Sequence, residues 1–297
     1  MEIAANDLPC SACSWTKNSQ DHCSYKSNVK LFYGAGDRGA WSLGTKFILK
    51  ERGTNPPIYE GFNTRFVREN TTIPTPAVVQ EWTEDNNRHF LIAERVPGLT
   101  LEEHWPNMTE ADREQLAKET AEYLAQLRQL HSPKMQSIHG QPLHVAFLFS
   151  GGSNTPHGPL SSAEELWTEM SGQLKEIPSK VCALIRQRMP SPEPWTFTHG
   201  DLAFCNIMVD PKTNKLSGII DWEASGYYPV WWEFSCAGIG LSEADSQWKK
   251  LLRKYMVDYT PGYEFWKDVK ACTSGWGWDK ERQKILWQEC GLEMPNE

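Results

Sequence analysis

The sequence predicts an α+β fold in two lobes, the first rich in strands and the second mostly helical, and three observations carry the prediction. Between residues 29 and 96, short runs of β-branched and aromatic residues alternate with Gly, Asn and Pro breaks. Beyond Pro97-Gly98 the apolar residues recur at helical spacing instead. The chain of 297 residues, 39% hydrophobic and 23% charged, has ordinary globular composition and enough length for one large domain or two lobes sharing an interface.

Residues 28–96 make the first lobe, after an N-terminal tail at 1–27. VKLFY at 29–33 alternates, GAGDRG at 34–39 is a glycine-laden loop, and AWSLG at 40–44 follows. Gly44-Thr45 turns the chain and KFILK at 46–50 leads it back, which makes a small antiparallel sheet. EGFNTRFVREN at 60–70 puts Phe62, Phe66 and Val67 on one helical face, and Pro74 and Pro76 forbid its continuation. PAVVQEW at 76–82 and HFLIAERV at 89–96, parted by the polar TEDNN, form a second hairpin. The hinge falls at 94–99.

Residues 97–297 make the second lobe. Thr109 caps a long helix whose stripe is Leu116, Thr120, Tyr123, Leu124, Leu127 and Leu130. Residues 132–160, rich in Gly, Pro, Ser and His, predict an irregular loop with a short strand around HVAFLF at 144–149. Ser162 and Glu165 form a capping box ahead of Leu166, Trp167, Met170 and Leu174. Two further stripes follow, Val181, Leu184, Ile185 and Met189, then Trp248, Leu251, Leu252, Tyr255 and Met256.

Charge and cysteine usage narrow the function classes. Acidic residues number 38 against 30 basic ones, a formal net charge of −8 that opposes tight phosphate-backbone binding, so nucleic acid is not an expected partner. No apolar run approaches a membrane span, and the start MEIAANDLPCSACSWTKN lacks the basic and apolar stretches of a signal peptide. The expectation is a cytoplasmic chain with no membrane association and no obligate protein partner. Its eight cysteines are then expected as reduced thiols. Cys10, Cys13, His22 and Cys23 lack the ligand spacing of a zinc cluster and are expected in a loose tail.

The densest signal is WTFTHGDLAFCNIMVD at 195–210, where Asp201 and Asn206 lie in D-x4-N spacing on a loop between two short apolar strands. Fifteen residues beyond Asn206, the run SGIIDWE carries Asp221 and Glu223 out of a buried strand. Carboxylates and an amide oxygen near strand ends are a hard-oxygen set suited to Mg²⁺ held against phosphates. Asp221 and Glu223 alone read more readily as a solvated strand end; the company of Asp201 and Asn206 favours function.

This constellation resembles the catalytic loop and metal-binding segment of the protein-kinase-like fold, and HGDxxxxN with IDWE resembles the aminoglycoside phosphotransferase and choline kinase family. RFVRENTTIPTP, ERVPG, GPLSSAEELW and GYYPVWWE are further similar to stretches of its fungal members. The resemblance implies a bilobal kinase-like enzyme that moves the γ-phosphate of ATP to a hydroxyl of a small-molecule acceptor. It implies that Asp201 accepts or orients the acceptor proton, that Asn206 and Asp221 hold Mg²⁺, and that His199 supports the loop beside Asp201. It places Lys50 on the α- and β-phosphates with Glu60 as its helix partner, and Glu94 and Val96 at the hinge against the nucleotide. Read from the residues alone, Lys50 also fits an ordinary sheet-edge lysine, and Glu60 a carboxylate favoured by the helix dipole.

Gly34, Gly36 and Gly39 spell G-x-G-x-x-G, but a strand rather than a helix follows, which excludes a dinucleotide fold and leaves a phosphate-covering hairpin or a plain surface turn. Glu223, Tyr227, Trp231 and Trp232 follow the metal segment directly and are candidate acceptor contacts, with aromatic faces suited to an amine. Packing the core is the commoner use of such rings. His-Gly-Asp in place of His-Arg-Asp, and the lack of an Ala-Pro-Glu motif, argue against a protein substrate. The alternative is a catalytically silent kinase-like protein that binds a nucleotide or ligand without turnover.

Overall fold

The computed structural model describes residues 28–144, 147–149, 154–273 and 279–294. The expected tail with Cys10, Cys13, His22 and Cys23 lies outside them, as do two residues of the expected HVAFLF strand, of which 147–149 form turn and bend. The chain runs β1 (Val29–Ala35), β2 (Arg38–Leu43), β3 (Phe47–Gly53), α1 (Glu60–Asn70), β4 (Val78–Thr83) and β5 (Arg88–Glu94). The five strands pair antiparallel in the order β1-β2-β3-β5-β4. Gly36, at φ +58°, allows the tight β1–β2 turn, and the Asp37 carboxylate accepts from Gly53 N at 3.1 Å. Lys50 sits mid-strand, opposite Ala40 on β2 and Leu91 on β5.

Two compact units share the chain. One holds the sheet, through Thr54 and then Ala77–Arg95; the other holds Asn55–Pro76 and everything from Val96 on. The division falls after Arg95, and α1 groups with the helical unit and not with the sheet. The reason is chemical: Asn63 Nδ2 donates to the Trp222 and Ser225 carbonyls at 2.9 and 3.0 Å. The helix therefore turns a polar face inward. Glu60, Gly61, Asn63, Thr64 and Val67 are its buried residues, whereas Phe62, expected inside, is 42% exposed with its ring edge-on to His139.

In the second unit β6 (Leu99–Thr100) leads into α2 (Leu101–His104) and a 3-10 turn at Trp105–Asn107. Then come α3 (Glu110–Leu127), β7 (His131–Ser132), α4 (Ala163–Ser171), α5 (Ser179–Arg188) and β8 (Trp195–Thr198). After them run β9 (Ile207–Val209), β10 (Leu216–Ile219), β11 (Gly226–Tyr228), α6 (Trp232–Cys236), α7 (Glu243–Arg253), α8 (Thr260–Ala271) and α9 (Lys280–Glu289). Thr109 caps α3 in a reciprocal box with Asp112, and Ser162 Oγ caps α4 by accepting from Glu165 N. The Glu165 carboxylate turns instead to the Ser161 amide and hydroxyl.

Two small sheets, β10-β9-β6 and β11-β8-β7, give the unit its platform for the 199–206 loop. One apolar core beneath it gathers Leu116 and Leu124 of α3 with Phe197, Ile207, Ile219, Trp222 and Trp248. The other joins α4, α5 and α8 around Trp195, Tyr228, Trp231 and Trp232. The α+β expectation holds. Among the described residues no helix is long and apolar enough to cross a membrane, and Cys182, Cys205, Cys236, Cys272 and Cys290 are free thiols.

Candidate active site

The loop from His199 to Asn206 leaves β8 through a glycine that no other residue replaces without strain. Gly200 has φ +82°, and a Cβ there would lie 3.0 Å from the Ala224 carbonyl oxygen. His199 is wholly buried and spends its groups on the loop. Its Nδ1 accepts from Asp201 N at 3.2 Å and its Nε2 donates to Ile220 O at 3.0 Å, which assigns the neutral Nε2–H tautomer. The ring stands edge-on to Trp222 at 4.6 Å between centroids, and Ser225 Oγ donates to the His199 carbonyl. His199 is thus held in place by bonds to the loop and to the end of β10.

Beneath the loop lies a carboxylate that the sequence pattern does not single out. Glu233 of α6 is buried and accepts from His199 N at 2.6 Å and from Gly200 N at 3.2 Å. Burial pushes its carboxyl up to about 7, against the opposing pull of those two amides. Two consecutive N–H groups aimed at one carboxylate hold Asp201 at a fixed point of the loop.

Asp201 is half-buried, and desolvation raises its carboxyl above the ordinary aspartate value, with Lys249 opposing and Asp221 and Asp245 adding to the rise. Asn206 Nδ2 donates both to the Asp201 carbonyl at 3.0 Å and to Asp201 Oδ2 at 3.1 Å. With its nitrogen so committed, the Asn206 amide presents Oδ1 on its other side, where the Cys205 thiol approaches at 3.7 Å. Burial pushes that thiol up to about 11, so it is a weak nucleophile near neutrality.

Asp221 follows β10 in the left-handed conformation, φ +67° and ψ 59°, which aspartate tolerates better than most side chains. Its carboxylate, that of Glu223 and that of the buried Glu60 bring their oxygens within 4.8 Å of one another. Asn63, one turn on from Glu60, braces this group through its bonds to the Trp222 and Ser225 carbonyls. Three carboxylates at this spacing repel one another unless a cation balances them, and they match the oxygen-donor preference of Mg²⁺.

Helix α7 supplies a second brace. Asp245 Oδ1 accepts from Phe204 N at 2.9 Å, and Trp248 Nε1 donates to Leu202 O at 3.1 Å. The spacing gave Trp248 and Leu252 as inward-facing; Asp245 and Lys249, on the same face, are also buried. Their i, i+4 relation across Trp248 was the available signal.

The expected acceptor contacts divide. Trp231 and Trp232 have 0% and 1% exposure and sit in the core around Phe265, so they offer no face to a ligand, which corrects that expectation. Burial governs because each ring covers more apolar area than an exposed cation contact returns. Tyr227 is half-buried, wedged edge-on against Phe66 and Phe197. Glu223 is half-buried within the carboxylate group. At the hinge Glu94 is exposed, its amide bonded to Ala77 O, and the half-buried Val96 packs on Gly218, where a Cβ would sit 2.7 Å from Val96 Cγ1.

The chain is similar to known proteins in sequence and in fold. Residues 64–269 match the model of the phosphotransferase enzyme family. An aminoglycoside 3'-phosphotransferase of Streptomyces fradiae is 28% identical over 150 residues, covering 50% of this chain and 52% of the relative. Its counterpart from Streptomyces ribosidificus is 27% identical over 151 residues, with coverage of 50% and 52%. The chain thus spans about half the length of the curated relatives it matches. Among solved structures, the ADP-bound aminoglycoside phosphotransferase APH(2'')-Ib aligns with a TM-score of 0.55 at 15% identity, covering 89% of this chain and 92% of that one. The GDP and kanamycin complex of APH(2")-IIIa aligns at 0.56 and 12% identity, covering 91% and 95%. The loop, its buried carboxylate braces and these matches together place the chain in the phosphotransferase enzyme family.

Proposed function

We propose that the protein is a small-molecule kinase, moving the γ-phosphate of ATP to a hydroxyl group with Mg²⁺ as the metal. The observation that carries the reading is the paired fixation of Asp201 and Asn206, cross-bonded on a loop held from below by Glu233 and Asp245. Phosphoryl transfer asks mainly for positioning and charge neutralisation, and a loop braced at four backbone groups supplies the first. Asp201 orients the acceptor hydroxyl and takes its proton as the O–P bond forms and the bond to the departing nucleoside diphosphate breaks. Its raised carboxyl leaves it a better base than an exposed aspartate.

The donor set fits a hard divalent ion: Asp221 and Asn206 Oδ1 hold Mg²⁺ in this reading, with Glu223 beside them. The bound ion would neutralise phosphate charge. The resemblance assigns Lys50 to the α- and β-phosphates with Glu60 as its partner, and Glu94 and Val96 to the nucleotide. A silent nucleotide-binding protein would have no use for Asp201 held at a fixed height in the loop. The acceptor class is a small hydroxylated molecule; the streptomycete relatives make amino sugars the first compounds to screen. With Trp231 and Trp232 buried, recognition of an amine would fall to carboxylates such as Glu223.

The test is transfer and nucleotide binding in parallel. Asp201→Asn should lose transfer by at least about a hundredfold while nucleotide affinity by calorimetry stays within about twofold. Asp221→Ala should remove the Mg²⁺ dependence of nucleotide binding. Equal turnover of wild type and Asp201→Asn would remove Asp201 from the chemistry.

A further inference from the structure

Asp245 lies in the first turn of α7, fully buried, where an aspartate ordinarily reaches back to the helix cap. The cap is already satisfied by Ser242 Oγ, which accepts from Asp245 N. The Asp245 carboxylate instead joins two separate backbone segments: Oδ1 takes Phe204 N of the catalytic loop, and Oδ2 takes Leu241 N, each at 2.9 Å. Because one carboxylate makes both bonds, those two amides lie within about 8 Å of each other. Lys249, one turn on and only 5% exposed, pairs with Asp245 Oδ2 at 3.0 Å and donates to Ile239 O at 2.7 Å.

The segment so pinned has little freedom of its own. A Cβ on Gly240 would lie 2.0 Å from Ser246 Oγ, and one on Gly238 would lie 2.3 Å from the Tyr263 ring. On this close-packed turn Leu241 stands 55% exposed. A buried ion pair is a poor source of stability compared with apolar residues of the same volume, and its best-attested use is to fix one arrangement among several. Here the arrangement fixed is that of residues 239–241 against residues 202–204.

We propose that Asp245 and Lys249 are positioning residues that lock the 239–241 turn to the catalytic loop and so hold Leu241 as an apolar wall of the acceptor site. The role given to Leu241 rests on the small-molecule kinase reading; the lock does not. It explains why charged groups occupy the inward face of α7 on both sides of Trp248.

Two measurements on the full chain test it, with circular dichroism to establish folding. Amide hydrogen exchange is read on peptides covering 200–206 and 237–242 in wild type, Asp245→Asn, Lys249→Met and Lys249→Arg. The lock predicts that exchange rises in both segments together, by about tenfold or more, in Asp245→Asn and Lys249→Met, and that Lys249→Arg restores most of the protection. Should Asp245→Asn fail to fold, the two Lys249 variants decide. A rise confined to one segment, or no rise, overturns the lock. In kinetics Leu241→Asp should raise the acceptor KM at least about fivefold with nucleotide KM within about twofold and exchange unchanged. An unchanged acceptor KM overturns the wall. A wild type that transfers to no hydroxyl compound overturns the kinase reading and the wall with it, while the exchange result still decides the lock.

Discussion

Replacing Glu233 with glutamine should make the protein more stable at pH 8 and less active. The carboxylate is buried beneath the loop, and burial lifts its folded value to about 7 from an ordinary 4.5. The folded chain therefore binds more protons than the unfolded chain between those values. Stability from this group is fully present below about pH 4.5 and falls as pH rises through 7. At about 1.4 kcal/mol for each unit of pKa difference, ionised Glu233 lowers stability by up to about 3 kcal/mol above pH 7. Glutamine has the shape of the protonated acid and no such loss, so the two proteins should be near equal at pH 5 and diverge by that amount at pH 8. The functional cost runs the other way. An anion accepts from both His199 N and Gly200 N, whereas an amide turns its NH2 toward one of them and leaves that N–H facing another donor. A loop displaced by part of an ångström costs at least about tenfold in kcat. Urea unfolding of both proteins from pH 5 to pH 8, with transfer rates at each pH, measures both halves. A pH-independent stability difference, or a Glu233→Gln protein weaker than wild type at pH 8, would refute the reasoning.

Trp231→Ala should cost about 3–5 kcal/mol in chemical unfolding and leave the acceptor KM of the folded fraction unchanged, because the ring fills the core and touches no ligand. Asn63→Ala should destabilise by about 2 kcal/mol, since it strips the Trp222 and Ser225 carbonyls of their buried donor, and should weaken Mn²⁺ binding measured by paramagnetic resonance. Gly200→Ala should cost about 1–2 kcal/mol from the left-handed backbone alone and more from the Ala224 carbonyl, with kcat falling further than stability; equal losses in the two would remove the glycine from loop positioning.

Which features were legible in the sequence follows from what each signal measures. The sheet strands, α1, α3 and the break after Arg95 were readable because apolar period and Gly/Pro punctuation report backbone conformation directly. The 199–206 loop and Asp221 were readable because their residue types have few other uses at that spacing. The facing of α1 was not. Hydrophobic pattern assigned Phe62 inward, whereas the helix buries Glu60 and Asn63, whose polar atoms meet carbonyls and carboxylates brought from more than 150 residues away. No local signal tells a buried amide with a distant partner from an exposed one.

The same blindness explains why the braces beneath the 199–206 loop were missed. Glu233, Asp245 and Lys249 each lie in a helix where a charged residue reads as solvent-facing, and each is nearly or wholly buried against the backbone of the 199–206 loop or the turn beside it. Burying such groups is destabilising unless their bonds are well made, and the raised Glu233 carboxyl shows that even two backbone amides do not repay the whole cost. An apolar floor under the loop would leave its amides without acceptors, at about 1–3 kcal/mol for each one buried. A loop that must place Asp201 and Asn206 within a fraction of an ångström needs directional bonds, and only buried polar side chains supply them there. Variants that exchange these braces for apolar residues should therefore lose stability and turnover together, the Lys249→Met protein because it leaves the Asp245 carboxylate buried and unpaired.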